Sequence, residues 1–487
     1  MLELVSFLCG AAVMVLEMAG TRVIAPYLGT SIVVWTALIG VILGSLSLGY
    51  WLGGRYADNR PSAKKLGMII LCGAVFVLLS AMFQAGILGL VGAANWPLQV
   101  SALVAALLLF APPAVFMGMV SPYIIQVRLL GYKDKSRAGS VMGRFFALST
   151  IGSIAGTFLG GYWLISWFGT RVILYMVAGV LTLASLMAAT RKDRLPGALA
   201  LGLCLGLGAH AGLTGSESLK SGIDRDTRYN HLRIQEGGSA GAPMRFLSTD
   251  PGLVQSGMFL DKPDELAFDY TKHYALAWHI LPGAREHLML GGGGYSVPKY
   301  LLAYKPEASI DVVEIDPGIT GAAKEFFALR ESPRLRVFDE DARVFLNRLA
   351  AEKEPARYDV VMGDTFSSSY NIPFHLGTVE CARAIKALLR DDGVFVGNII
   401  SAVTGEQGQV LRGIHAAFAE VFPQTHIFPV AYPGRPDVVQ NVMLVALKTA
   451  RPLPLAWGGE MQAMLAKEFK GPLPQDTAAL TDDFAPV

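Results

Sequence analysis

The sequence predicts a chain of two unlike halves, a multi-span α-helical membrane domain followed by an open α/β sheet domain. Three observations predict this. Long apolar runs crowd the first 213 of 487 residues. Beyond residue 214 the apolar runs shorten and alternate between strand and helix periods. Finally, four consecutive glycines, 291–294, stand between a buried-strand pattern and a helical one.

Composition narrows the function classes. Charged residues make up 16 % and the net charge is +2, so no basic field points to a nucleic-acid partner. The cysteines, Cys9, Cys72, Cys204 and Cys381, show no CxxC pair, and the histidines no HExxH. Neither a disulfide framework nor a metal site is expected.

Seven apolar segments precede residue 214: 4–25, 32–52, 66–90, 98–120, 145–167, 172–189 and 196–213. Most reach the ~17–25 residues that cross a bilayer. The first lacks a basic start and carries Glu17, so it reads as a span and not a cleaved signal. Arg55, Arg60, Lys64 and Lys65 fill one loop, Arg128, Lys133, Lys135, Arg137 and Arg144 another, and Arg191, Lys192 and Arg194 a third. The intervening loops are nearly uncharged, which places the basic loops, and Met1 with them, in the cytoplasm. Seven full crossings would then put the second half outside. The seventh segment is short and glycine-rich, so a re-entrant or interfacial course is the alternative, and Pro112–Pro113 is a candidate break in the fourth. Gly152, Gly156 and Gly160, four residues apart, share one helix face and predict close helix packing. Glu17 with Arg22 is either a functional pair or an internal ion pair. The loop "GGRYADNR" is similar to a short signature of major-facilitator transporters, but reads as a charged turn that fixes orientation.

The second half begins with a linker and small β-rich subdomain, 214–282, whose strands are "YNHLRIQEG", "MRFLSTD" and "QSGMFLD". From 283 to 450, strands "EHLMLGG", "SIDVVEID", "LRVFDED", "YDVVMGD" and "GVFVGNII" alternate with helical stretches. Such alternation predicts a parallel sheet with helices on both faces. "THIFPVA" and "VVQNVMLVAL" read as an antiparallel hairpin closing its edge. This is the strand pattern of class I methyltransferase-like (Rossmann-like) folds. Residues 451–487 read as a C-terminal tail.

Open α/β sheets bind ligands at the carboxyl ends of their strands. Gly291 and Gly293 lie at the first end, where missing side chains admit a ligand to the backbone. Glu314 and Asp316 lie at the second, where a carboxylate can accept ribose hydroxyls. Asp341 follows the third, placed for an adenine amino group, and Asp364 the fourth, where chemistry would occur. Read singly, these are a turn, a surface carboxylate and a helix cap; together and in order they predict an adenosine-nucleoside site. No GxxxxGK[ST] is present, which disfavours a phosphate-binding ATPase.

Through "LSTDPGLVQS", "DELAFDY", "GGGG", "VEID", "DAR" and "YDVVMGDTF", residues 228–447 resemble the polyamine aminopropyltransferases, the spermidine synthase family. The chain looks like the branch fused to an N-terminal multi-span domain. The resemblance implies transfer of an aminopropyl group from decarboxylated S-adenosylmethionine to an amine such as putrescine, releasing methylthioadenosine. No permanently bound cofactor or metal is implied; the S-adenosyl compound is a co-substrate. By motif position Asp364 is the catalytic carboxylate, Tyr270 the active-site tyrosine, and Gln255, Asp341 and Ala342 nucleoside contacts. Two positions depart from the family: Gly294 stands where it has an aspartate facing the donor's ammonium, and Ser367 where it has a second acid. An S-adenosylmethionine-dependent methyltransferase or lyase, and a nucleoside-sensing membrane transporter, are the competing readings. Expected partners are a small amine and the lipid bilayer, with a homodimer possible in principle and no nucleic acid. The expected location is the inner membrane. Because S-adenosyl donors are cytosolic, the catalytic domain is expected in the cytoplasm, against the loop charges if all seven segments span.

Overall fold

The structure is a computed structural model. It describes residues 1–28, 32–94, 96–130, 138–189, 194–213, 222–227, 229–239, 242–249, 254–355, 357–365, 373–456 and 458–484. Ser367 and the loop cations Lys133, Lys135, Arg137, Arg191 and Lys192 lie outside the described residues. Two compact units emerge, one of residues 1–217 with 223–231, the other of 218–222 with 232–487.

The first unit is a helical bundle. Its helices are α1 (Leu2–Leu28), α2 (Ile32–Ala57), α3 (Ala63–Ala93), α4 (Leu98–Leu129), α5 (Ala138–Phe158), α6 (Ile165–Trp167), α7 (Thr170–Ala188) and α8 (Leu195–Leu213). A π-helical turn, Leu159–Leu164, joins α5 to α6. Six of these stretches are long and apolar enough to cross a membrane; in α8 the apolar part is Pro196–Leu207. Short strand β1 (Ile223–Asp226) completes the unit.

Small residues decide how the bundle packs. A Cβ on Gly152 or Gly156 would run into the backbone carbonyls of Phe7 and Ala11 on α1, and one on Gly10 into that of Ser149. Ser153 Oγ adds a hydrogen bond to Gly10 O at 3.1 Å. The glycine face of α5 is thus a seam against α1. Gly49 and Gly53 let α2 approach α4 in the same way. The break expected at Pro112–Pro113 does not occur, and α4 runs unbroken through both prolines and Pro122. Pro113 deprives Leu109 O of its intrahelical donor. Ser80 Oγ on α3 supplies one instead, at 2.6 Å.

The second unit opens with antiparallel strands β2 (His231–Ser239), β3 (Ala242–Ser248) and β4 (Ser256–Phe259). Short helices α9 (Asp269–Lys272) and α10 (Ala275–Ile280) lead into the main sheet. Its strands are β5 (Glu286–Leu290), β6 (Ser309–Val313), β7 (Leu335–Phe338), β8 (Tyr358–Gly363), β9 (Leu389–Ser401), β10 (Gln424–Pro429) and β11 (Gln440–Leu447). They lie in the order β10-β11-β9-β8-β5-β6-β7. The five from β9 to β7 are parallel, and β11 and β10 form the expected antiparallel edge. Helices α11 (Ser296–Tyr304), α12 (Pro317–Phe326), α13 (Ala342–Ala350), α14 (Val379–Leu388) and α15 (Gln409–Val421) cover the sheet. Leu288 and Leu290 enter one core and Met289 the other, the alternation of a strand buried on both faces. The chain builds β5, β6 and β7 toward one edge and then returns to place β8 on the other side of β5. The crevice at that reversal is where open sheets bind ligands.

Residues beyond 451 do not trail away. They form α16 (Gly459–Leu465) and then run back over α13, α14 and α15. Asp476 pairs with the buried Arg412 guanidinium at 2.6 Å, Asp482 pairs with Arg343 at 2.6 Å, and Leu480 is buried.

Gly156→Ala is expected to destabilise the full chain in detergent by about 1–3 kcal/mol, the usual cost of overpacking, despite alanine's better helix propensity. Gly143→Ala, whose new Cβ would meet nothing within 4 Å, is expected to be neutral or slightly stabilising. Thermal unfolding of the two variants side by side checks the seam.

Candidate functional site

The glycine turn is shaped by backbone demands. After β5, Gly291 and Gly293 adopt positive φ of 91° and 51°, which glycine tolerates at little cost. A Cβ on Gly291 would strike the carbonyl oxygen of Asp364, so the tips of β5 and β8 close on one another only because this residue has none. Tyr295 then enters α11 at φ 55°, a costly conformation for a tyrosine. Complete burial and a 2.7 Å hydrogen bond between its hydroxyl and Thr320 Oγ1 hold it there.

Glu314 sits at the tip of β6 and binds this turn. Its Oε2 accepts Gly292 N at 2.8 Å and Gly293 N at 3.4 Å, and its Oε1 accepts Asp316 N at 3.0 Å. Only 6 % of it is exposed. Burial raises its pKa, and the three N–H donors offset only part of that rise. Asp316, expected beside the ribose, requires correction. It is fully buried and accepts Gly318 N at 3.0 Å as the N-cap of α12. Its carboxylate is consumed in starting that helix and presents no surface to a ligand.

Asp341 caps α13: its Oδ1 accepts Arg343 N at 2.8 Å and Val344 N at 3.1 Å. Its Oδ2 lies 3.8 Å from His375 Nε2 and its side chain is about a third exposed, so the cap leaves one oxygen available. Ala342 follows as the buried first residue of that helix.

Asp364 lies just beyond β8, where its N–H donates to Leu290 O at 2.9 Å. Asn398 Nδ2 donates to its Oδ1 at 3.0 Å, and Asn441 Nδ2 to Asn398 Oδ1 at 3.1 Å. Burial pushes the Asp364 carboxyl up to about 6, against the lowering effect of hydrogen bonds from Asn398 and Tyr270. Burial and the facing Asp364 charge raise the Tyr270 phenol well above its ordinary value, so it stays a neutral donor. That hydroxyl also lies 3.4 Å from Gln255 O. Gln255 Oε1 is buried and finds no hydrogen-bond partner among the described residues. An orphaned acceptor of this kind carries a desolvation cost that a ligand donor would remove.

The structure therefore brings Gln255, Tyr270, Gly291, Gly293, Glu314 and Asp364 to one end of the sheet. Asn398, Tyr295, Ser256 and Tyr274 were not anticipated. The signal for Asn398 was a lone amide inside the apolar strand "GVFVGNII". Tyr274 donates to Gly363 O at 2.7 Å and fixes the end of β8. Ser256 explains Gly294: its Oγ accepts Gly294 N at 2.9 Å, and a Cβ at 294 would lie 2.8 Å from Ser256 Cβ. The space an acid would need is filled.

Residues 270–451 match the family model described as Spermine/spermidine synthase domain. Over 200 residues the chain is 30 % identical to a polyamine aminopropyltransferase of Vibrio vulnificus (strain CMCP6), covering 41 % of this chain and 62 % of that protein. Over 206 residues it is 30 % identical to an eEF1A lysine and N-terminal methyltransferase of Bos taurus, covering 40 % of this chain and 28 % of that one. The chain thus spans about three fifths of the first relative's length and under a third of the second's. Among solved structures, a probable spermidine synthase from Corynebacterium glutamicum ATCC 13032 aligns with 19 % identity and a TM-score of 0.45, over 54 % of this chain and 97 % of that one. Human methyltransferase-like protein 13 in complex with SAH aligns with 21 % identity and a TM-score of 0.35, over 41 % and 90 %.

Asn398→Ala removes a donor that lowers the Asp364 pKa, so that pKa is expected to rise further above 6. Infrared titration of the carboxyl band, with Asp364→Asn as the subtraction standard, checks it.

Proposed function

We propose that this chain, which carries a spermine/spermidine synthase domain over residues 270–451, is a multi-pass membrane transferase that alkylates a small amine with an S-adenosyl donor. The favoured donor is decarboxylated S-adenosylmethionine and the favoured acceptor a diamine of the putrescine class. The observation that carries the reading is Asp364: a carboxylate oriented by Asn398, held against the glycine turn, with a pKa of about 6.

An alkylammonium has a pKa near ~10, so it reaches the site protonated and must lose a proton before it can attack. Asp364, ionised above pH 6, attracts the cation, orients it and accepts that proton. The amine lone pair forms the new C–N bond as the C–S bond breaks, and its electrons neutralise the sulfonium to give methylthioadenosine. The donor carries its own activation, so the protein's task is positioning and proton removal. In this reading the lone pairs Glu314 has to spare hold the ribose, the open oxygen of Asp341 meets the adenine amino group, and the orphaned Gln255 Oε1 accepts from the nucleoside.

A second reading has an observation of its own. Ser256 fills the place of an acid at Gly294, and no carboxylate there meets a donor ammonium. A methyl-transferring or lyase reaction on S-adenosylmethionine uses the same nucleoside cradle.

Product analysis separates the two. Purified full-length protein given decarboxylated S-adenosylmethionine and putrescine is expected to yield methylthioadenosine and spermidine in equal amounts. S-adenosylhomocysteine, formed from S-adenosylmethionine, would overturn the aminopropyl reading. Asp364→Asn is expected to lose about 10²–10⁴-fold in turnover, the usual worth of a positioned general base. The wild-type rate is expected to rise with pH through about 6 and then level, because the base must be ionised; a rate flat from pH 5 to 8 would remove Asp364 from proton transfer.

A further inference from the structure

We infer that α8 is a seventh crossing helix and that the soluble unit follows it on the membrane face opposite the basic loops.

One end of the bundle is identified by its charges and by contacts that gather the same helix ends. Arg144, at the start of α5, lies 3.7 Å from Glu3 at the start of α1. Ser62 N, before α3, donates to Tyr123 Oη near the end of α4 at 3.2 Å. Ser185 Oγ, near the end of α7, donates to Gly67 O near the start of α3 at 2.7 Å. All three basic loops join helices at this end. Before residue 214 the sequence assigns twelve lysines and arginines to the loops and helix ends here (55, 60, 64, 65, 128, 133, 135, 137, 144, 191, 192 and 194), against Arg22 and Arg171 toward the other end, where Arg225 of the segment 223–231 adds a third. That asymmetry makes it the cytoplasmic end.

The segment 223–231 is fastened to the opposite end. Arg22 Nη1, in the last third of α1, donates to Thr227 O at 3.3 Å. Thr170 N, at the start of α7, donates to Asp226 Oδ2 at 2.7 Å, and Thr170 Oγ1 to the same oxygen at 3.3 Å. A carboxylate at a helix N-terminus is favoured by the unpaired N–H groups and the dipole there. His231 Nδ1 meets the other oxygen of Asp226 at 2.5 Å, with Asp224 3.7 Å from Nε2. Burial opposes the charge on His231, yet the two carboxylates raise its pKa to about 9, so the fastening is charged on both sides at neutral pH.

The chain must therefore pass from the basic end, where α7 finishes, to the opposite end before residue 223. Gly197, at the start of α8, abuts Leu186 near the end of α7, so α8 begins at the basic end and packs back along α7. Its 19 residues extend about 28 Å at the helical rise, close to the ~30 Å hydrocarbon thickness. Were α8 interfacial, the nine residues 214–222 would have to traverse the apolar layer. Unpaired backbone in lipid costs several kcal/mol per group, which excludes that route. The expected cytoplasmic position of the second half is thereby reversed. One consequence rests on the transferase reading: the cationic donor and acceptor are drawn from the far compartment. A cation does not cross the apolar layer unaided, so a translocation step must supply any donor made in the cytoplasm.

The test uses the full chain in a Cys72→Ala background, with Asp391→Cys on the exposed surface of the soluble unit and, separately, Arg60→Cys in a basic loop. A membrane-impermeant maleimide is applied to right-side-out and inside-out vesicles. The expected result is opposite labelling: Asp391→Cys modified in right-side-out vesicles, Arg60→Cys in inside-out ones. Labelling of both variants in the same vesicle orientation would overturn the inference. The readout does not depend on turnover. Opposite labelling without any product from externally added decarboxylated S-adenosylmethionine and putrescine would sink the transferase reading while leaving the topology intact.

Discussion

The buried carboxylate of Glu314 organises the candidate site. It joins two turns of the chain: the glycine turn after β5, through Gly292 and Gly293, which precede it by 22 and 21 residues, and the turn into α12, through the N–H of Asp316. Without an acceptor at this point, three N–H groups at the mouth of the crevice would lose their side-chain partner. Burying the carboxylate costs free energy, as its raised pKa records, and the three donors offset part of that cost. The remaining geometry follows. A fixed turn keeps Gly291 against the carbonyl of Asp364, and β8 then presents the Asp364 carboxylate to the same crevice, where Asn398 turns it.

The helical unit depends on a different constraint. Were these helices in lipid, their apolar side chains would gain little by leaving their surroundings, and close backbone approach and satisfied polar groups would decide the packing. Gly10, Gly152 and Gly156 between α1 and α5, and Gly49, Gly53 and Gly118 between α2 and α4, supply that approach. Ser80 answers the carbonyl that Pro113 orphans. A segment that is soluble by composition, 223–231, is tied into this unit through Arg22, Thr170, Asp226 and His231.

Much of this was legible in the sequence, for identifiable reasons. The first four strands of the main sheet carry short apolar runs ended by glycine or acid, and all seven strands appear where their apolar patterns placed them. The spacing of Gly152 and Gly156 announced a packing face, and the face exists. Legibility failed where a side chain's role depends on what folds against it. Asp316 reads like Glu314 on paper; only the start of α12 consumes its carboxylate. Asp341 can cap a helix and still keep one oxygen open, a dual role that no spacing reveals. Asn398 is 34 residues from Asp364 and meets it only across β8 and β9. Pro112 and Pro113 look like a break until Ser80 is brought alongside. Helix α15 and the return of the C-terminal residues over α13 to α15 left no motif, because their contacts are generic apolar burial and two ion pairs with distant partners.

The central claim, that Glu314 builds a nucleoside cradle, is tested most directly by calorimetric titration of methylthioadenosine into the full-length protein and into Glu314→Gln. The account predicts measurable binding to the wild type, weakened at least tenfold, about 1.4 kcal/mol, by the substitution. Equal affinity for the two proteins, or a wild type that binds no adenosine nucleoside, would contradict it.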